Sequence, residues 1–253
     1  MSTTNSAVKT RSPLSERLDL IISPIFAAAL AILGFAVWTY SDLDKITIAI
    51  LSPDKVQRQI GETLILGLSS SILVVLIAVP VGILVTRKGY PRLKNLLVST
   101  LGLGQALPAY GLIVIFFSFM GSGIVTVILA LATFSLLPVL RNTIVGLEQV
   151  DKSVIDAARG MGLTARQILL KIELPLSVEV ILGGIRTAVV INVGFSALAF
   201  LVGGGGLGET INSGLKLDRG PAILIGAVMV AIMALLFDFL SALAQKYLKP
   251  RGL

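Results

Sequence analysis

Six stretches of this chain are apolar for the ~20 residues that a helix needs to cross a hydrocarbon core, with polar segments between them. They fall at 20–40, 62–86, 96–120, 124–140, 180–202 and 221–244. Backbone in lipid must satisfy its own polar groups, which over runs of this length means helices. Only 14% of the residues are charged, where a soluble domain approaches a quarter. The sequence therefore predicts an all-α polytopic membrane protein with six transmembrane helices. One membrane domain covers 20–244, between a polar N-terminal segment at 1–19 and a short tail at 245–253.

The polar segments set the sidedness. No small-residue cleavage site follows the first apolar run, so 20–40 reads as a retained span, with Trp38 and Tyr40 at its interface. The segment 41–61 is a loop of mixed charge. Pro80 is expected to kink the second span, and Gly102, Gly104 and Pro108 to interrupt the third. Lys9, Arg11 and Arg17, the basic turn Arg87, Lys88, Arg92 and Lys94, the group Arg141, Lys152, Arg159, Arg166 and Lys171, and the tail residues Lys246, Lys249 and Arg251 fall on one side. The other side holds Lys45, Lys55, Arg58, Lys216 and Arg219. Basic loops stay in the cytoplasm, which places both termini and the segment 148–175 inside.

With no cysteine and no histidine, disulfides, thiol chemistry, a zinc site and a histidine-based triad are excluded. No metal site is expected. The net charge of +7 sits in loops flanking spans rather than on a nucleic-acid face. Gly203, Gly205 and Gly208 have dinucleotide-loop spacing, yet they follow a membrane helix and lie on the outer side. Glu209 stands where a phosphate needs a cation. A tight re-entrant turn or outer gate loop is the expected structure for 203–220.

The longest polar interruption in the second half is 148–175, and it is ordered by its own chemistry. Ser153-x-x-Asp156 resembles a capping box and Thr164-x-x-Gln167 is a second one. Gly160 and Gly162 lie between them, where a helix end takes up the left-handed conformation, and Pro175 ends the pattern. Two short helices at 154–161 and 165–173 are expected, with a sharp bend at Gly162 and Leu163.

Asp156-Ala157-Ala158, then Gly162, then Ile172-x-Leu174-Pro175 resembles the EAA motif of permease subunits of binding-protein-dependent ABC importers. The spacing matches throughout, with Asp in place of Glu. Further strings, Leu136-Leu-Pro-Val-Leu-Arg141-Asn142-Thr143, Gly184-Ile-Arg186-Thr-Ala188 and Gly205-Gly-Leu-Gly208, resemble the osmoprotectant branch of that family. The resemblance covers about 63–215. It implies a type I importer (MetI-like) permease fold in a bacterial or archaeal plasma membrane. It also implies import of glycine betaine, choline or carnitine. The implied partners are a second permease subunit, two cytoplasmic ATPase subunits and an external substrate-binding protein. ATP and Mg would belong to the ATPase, leaving this chain no catalytic residues and no cofactor of its own. Asp156, Ala157, Ala158, Gly162, Leu163, Ile172, Leu174 and Pro175 would couple it to that ATPase. An importer permease for another small solute, such as an amino acid, would carry the same loop. A channel or secondary transporter works without ATP and needs no such dock.

Arg186 and Asp238 are the charges embedded in spans, and they either snorkel separately, pair with each other or touch substrate. Gln105, Asn192 and Ser196 either line a translocation path or join helices by hydrogen bonds. Tyr110, Phe116, Phe117 and Phe119 offer ring faces to a cation, or pack against lipid and protein.

Because the chain has no native cysteine, Lys45→Cys and Lys152→Cys report topology directly. An impermeant thiol reagent outside intact cells should label the first and spare the second. Labelling of Lys152→Cys would reverse the orientation.

Overall fold

The computed structural model describes residues 13–87 and 91–248, and Lys9, Arg11, Lys88, Lys249 and Arg251 lie outside them. The described residues are helical, in the order α1 (Pro13–Tyr40), α2 (Lys45–Ile50), α3 (Pro53–Val85), α4 (Pro91–Ala106), α5 (Ala109–Met120), α6 (Ile124–Glu148), α7 (Lys152–Gly160), α8 (Ala165–Ile168), α9 (Leu174–Phe195), α10 (Gly208–Lys216) and α11 (Gly220–Leu248). A π-helical turn, Leu169–Glu173, joins α8 to α9, and a 3-10 turn, Ser196–Val202, extends α9. Helices long and apolar enough to cross a membrane number five among the described residues, and a sixth span results if α4 and α5 count together.

Two spans differ from their expected form, and proline chemistry explains both. The third is not one helix: α4 and α5 meet at a break bent by 100°. Pro108, extended at φ −57°, ψ 138°, excludes the helical conformation from the residue before it. Gly102 and Gly104 lie inside α4 and interrupt nothing. At 1.5 Å per residue the two pieces are about 24 and 18 Å long, so neither crosses alone.

The second correction concerns Pro175, which does not end a helix. One helix runs from Ala165 to Val202. A proline in a regular α-helix clashes with the carbonyl four residues earlier, here that of Lys171. The π turn Leu169–Glu173 widens that stretch of backbone, so Leu174 keeps helical angles of φ −63°, ψ −49° and the chain passes on. Pro80 and Pro138 likewise lie within continuous helices. The expected loop 41–61 contains α2 and the start of α3, capped by Asp44 through the Thr47 N–H at 2.8 Å and begun by Pro53.

α6 is the axis of the bundle and packs against α9, α3, α5 and α4, while α1 lies outside against α11. Val74, Ala78 and Val85 of α3, Val139, Leu140 and Ile144 of α6, and Ala188 of α9 form one buried cluster. Leu66, Ile113, Val127, Leu131 and Ala199 form a second, toward the other end. Lipid supplies no hydrophobic drive between helices, so close approach has to do the work. Glycines provide it: a Cβ on Gly184 would lie 2.7 Å from Asn142 Cβ and 2.9 Å from the Pro138 carbonyl oxygen.

The two ends of the bundle are chemically distinct. One gathers the end of α3, the start of α4 and the segment 148–175. The other gathers α2, the start of α3 and the glycine-rich loop, with Arg219 Nε donating to Asp44 Oδ2 at 2.9 Å and the Gly123 N–H to the Val202 carbonyl at 2.9 Å.

Gly184→Ala should destabilise the bundle by about 1–3 kcal/mol, because its methyl meets backbone that cannot move aside. Gly194→Ala, with open space at its Cβ, should leave the melting temperature in detergent unchanged or raise it. Equal melting temperatures in the two variants would show that α6 and α9 do not depend on this contact.

Candidate functional site

The segment 148–175 folds as a capped helix, a left-handed bend and a second capped helix. The first cap is Asp151, not the expected Ser153: Asp151 Oδ1 accepts the Ser153 N–H at 2.8 Å and α7 begins at Lys152. Hydrogen bonds from the Ser153 backbone and then its hydroxyl hold the Asp151 carboxyl below the usual carboxylate range, so the cap stays ionised at neutral pH. Asp156 therefore lies in the second turn and caps nothing. It is exposed, and Arg159 Nη1 donates to its Oδ1 at 3.1 Å.

The bend is a Schellman turn. The Gly162 N–H donates to the Arg159 carbonyl at 2.9 Å and the Leu163 N–H to the Ala158 carbonyl at 3.1 Å. Gly162 sits at φ +82° with open space where a Cβ would go, so the requirement for glycine is one of backbone conformation alone. The Thr164–Gln167 capping box is formed, with the Gln167 N–H on Thr164 Oγ1 at 3.3 Å and the Thr164 N–H on Gln167 Oε1 at 2.8 Å. Ala157 is exposed, Ala158 is buried, and Leu163, Ile172, Leu174 and Pro175 are half-buried. Val154, Met161 and Leu170 lie exposed beside them, an apolar contribution that the sequence reading did not single out.

Two ion pairs fix this segment to the bundle. Arg87 Nη1 donates to Glu173 Oε2 at 2.7 Å, and Lys94 Nζ to Glu148 Oε1 at 2.6 Å. Sequence reasoning missed both. The available signal was a lone acid inside Ile172-Glu173-Leu174-Pro175, at the edge of an apolar run.

Among the embedded charges the structure forms the pair. Arg186 Nε donates to Asp238 Oδ1 at 2.5 Å and Nη2 to Oδ2 at 2.7 Å, a bidentate fork between α9 and α11. Ser23 Oγ also donates to Oδ2, at 2.5 Å, tying in α1.

The three polar candidates for a path each have a structural partner. Asn192 is fully buried between α9, α6 and α3, and its amide donates to Ser135 Oγ at 2.9 Å and accepts from Ser71 Oγ at 3.1 Å. Ser196 is fully buried and donates to the Val193 carbonyl at 2.6 Å. Gln105, half-buried beside the α4–α5 break, donates through Nε2 to the Phe134 carbonyl at 3.1 Å. Phe134 is four residues before Pro138, which has no N–H to give it, so Gln105 supplies the missing hydrogen bond across helices. Of the aromatic residues, Phe116 packs on the second core cluster, while Tyr110, Phe117 and Phe119 are exposed and form no cage.

The glycine-rich loop is held to the start of α3. Glu62 Oε2 accepts the Gly206 N–H at 2.7 Å, Thr63 Oγ1 the Leu207 N–H at 2.9 Å, and Gln59 Oε1 the Thr210 hydroxyl at 2.6 Å. Two amides that a phosphate loop would offer to a ligand, those of Gly206 and Leu207, are thus occupied by protein. Among the described residues no group of acids could hold a metal ion.

A family model described as the binding-protein-dependent transport system inner membrane component matches residues 78–252. The carnitine transport permease protein OpuCB of Listeria monocytogenes is 38% identical over 195 residues, covering 77% of this chain and 88% of that protein. The glycine betaine/carnitine/choline transport system permease protein OpuCB of Bacillus subtilis (strain 168) is 35% identical over 195 residues, covering 76% and 88%. A chain of the inward-facing MetNI methionine ABC transporter shares the fold, with a TM-score of 0.70 at 23% identity over 82% of this chain and 100% of that one.

The fork between α9 and α11 makes a measurable claim. Asp238→Asn and Arg186→Gln should each lower the melting temperature, since removing one partner of a buried pair costs about 3–5 kcal/mol, and less with 19% of each side chain exposed. The double variant should be less harmful than the sum of the two. Strict additivity would mean that the charges act independently.

Proposed function

As the chain belongs to the binding-protein-dependent transport system inner membrane component family, we propose that it is the permease subunit of an ATP-driven importer for quaternary ammonium osmoprotectants. Glycine betaine, carnitine and choline are the substrate class, as in the names of the relatives it resembles over more than three quarters of its length. It works with a second permease subunit, two cytoplasmic ATPase subunits that bind ATP and Mg, and an external binding protein. Both termini and the segment 148–175 face the cytoplasm.

The observation that carries this reading is the geometry of 148–175. Exposed apolar side chains on each part of the segment, Val154 in α7, Met161 at its end and Leu170 in the π turn, fit the docking face of another subunit better than a polar surface. Its carboxylate, Asp156, is free of any capping duty. From the bend a single helix runs 38 residues to Val202, a rod about 57 Å long. Closure of the ATPase dimer against α7 and α8 therefore acts on the membrane interior without an intervening hinge. Alternating access follows as rigid-body motion of packed helices. Of the three polar candidates for a path, Gln105 is the one with exposed surface, beside the break in the third span.

The substrate class is tested by uptake into vesicles containing the assembled complex. Quaternary ammonium compounds should compete and amino acids should not, and the reverse pattern would reassign the substrate.

The docking role is tested at the bend. Gly162→Val demands a left-handed β-branched residue, and Asp156→Lys places two cations three residues apart. Both variants should insert and fold normally yet lose transport, with ATPase subunits either lost or no longer stimulated by the binding protein. Subunit ratio, ATP hydrolysis and uptake measured together decide it. Wild-type uptake in both would reduce the segment to a connector.

A further inference from the structure

The segment that meets the ATPase is continuous with α6 and α9, and ion pairs tie it to the start of α4 through Lys94 and Glu148 and to the end of α3 through Arg87 and Glu173. We propose that Arg87 and Glu173 are positioning residues that join this segment to α3, giving the ATPase a second lever that reaches the outer glycine-rich loop. The inference rests on the importer reading above and adds residues to it.

Arg87 is placed as a joint. It follows the C-cap Thr86 of α3, and each nitrogen of its guanidinium has a bond: Nε to the Ile83 carbonyl at 3.2 Å, Nη2 to Thr86 Oγ1 at 3.1 Å and Nη1 to Glu173 Oε2 at 2.7 Å. The first two make the planar group part of the helix end, closing a carbonyl of its last turn. The third grips a carboxylate that is 10% exposed, where few alternative partners compete. Glu173 is the last residue of the π turn, so its direction depends on the extra residue that turn accommodates. A displacement of the segment thus moves the end of α3 with it.

α3 carries that displacement to the opposite end. It is an unbroken helix of 33 residues, and Gln59, Glu62 and Thr63 in its second and third turns hold Thr210, Gly206 and Leu207. The same rigid element therefore contacts the ATPase-facing segment at one end and the glycine-rich loop at the other. A two-ended element of this kind is what coupling between distant sites requires.

The test uses the complete complex in vesicles, with Arg87→Gln, Glu173→Gln and the double variant. The readout is substrate imported per ATP hydrolysed. Each single variant should lower that ratio by about 5- to 150-fold, the ordinary range of an allosteric coupling, and the double variant should be no worse than either single. A purely structural role would lower uptake and hydrolysis together and leave the ratio at the wild-type value, which would overturn the proposal. Losses that multiply in the double variant would overturn it as well. Should a Gln variant fail to assemble, Arg87→Lys is read instead: it keeps the charge facing Glu173 but loses the bonds to the Ile83 carbonyl and Thr86 Oγ1, and an unchanged ratio there refutes the joint. A wild-type complex whose ATP hydrolysis ignores the binding protein would sink the importer reading itself. A wild-type complex that responds, with variants that match it, would sink only the Arg87–Glu173 link.

Discussion

A carbonyl deprived of its helical partner inside hydrocarbon costs several kcal/mol, and beyond the prolines that start helices this bundle has prolines at 24, 80, 108, 138 and 175 in or between its spanning helices. Much of the architecture is the set of answers to that constraint. At Pro138 the orphaned Phe134 carbonyl receives Gln105 from another helix. Next to it a bare Gly184 lets α9 lie against the Pro138 carbonyl. At Pro175 the π turn accommodates the ring and keeps one helix continuous from the polar segment into the membrane. At Pro108 no such device exists, and the helix breaks.

These answers assign mechanical roles. The helix leading from the bend at Gly162 into the core stays intact despite its proline, as the proposed coupling role would require. α3 is stiff as well, and polar contacts bind it at both ends, to Glu173 on one side and to Gly206 and Leu207 on the other. Buried polar groups in the middle act as register pins. Asn192 locks α9 to α3 and α6, and the Arg186–Asp238 fork locks α9 to α11. Each pin is satisfied by protein partners, so none of them depends on water for its hydrogen bonds.

Sequence revealed some of this and hid the rest for definable reasons. Length and hydropathy locate the apolar stretches, because hydrocarbon thickness sets one scale for all of them, but not the break in the third or the extension of the fifth back to Ala165. The left-handed glycine at 162 and the Thr164–Gln167 box were legible because their chemistry is local. The first cap was misplaced by two residues since Asp151 and Ser153 are both good caps, and only the backbone path selects between them. Prolines 108 and 175 look alike in sequence yet do opposite things, since a π turn leaves no compositional trace. Glu173 and Arg87 are 86 residues apart, and nothing local ties them together.

The break between α4 and α5 has one more consequence. Irregular backbone at membrane depth is tolerated where it is buried in protein or lines water, not where it faces lipid. In the single chain Leu107 and Pro108 are exposed and α4 buries none of its residues. On the importer reading proposed above, a second permease subunit or a water-filled path would cover the break and the outer face of α4. Both conditions hold at once if two permease subunits enclose a path between them, with the broken span at the seam. The bond from Gln105 to Phe134 then fastens the break to α6, so the path candidate with exposed surface also fixes the shape of the seam.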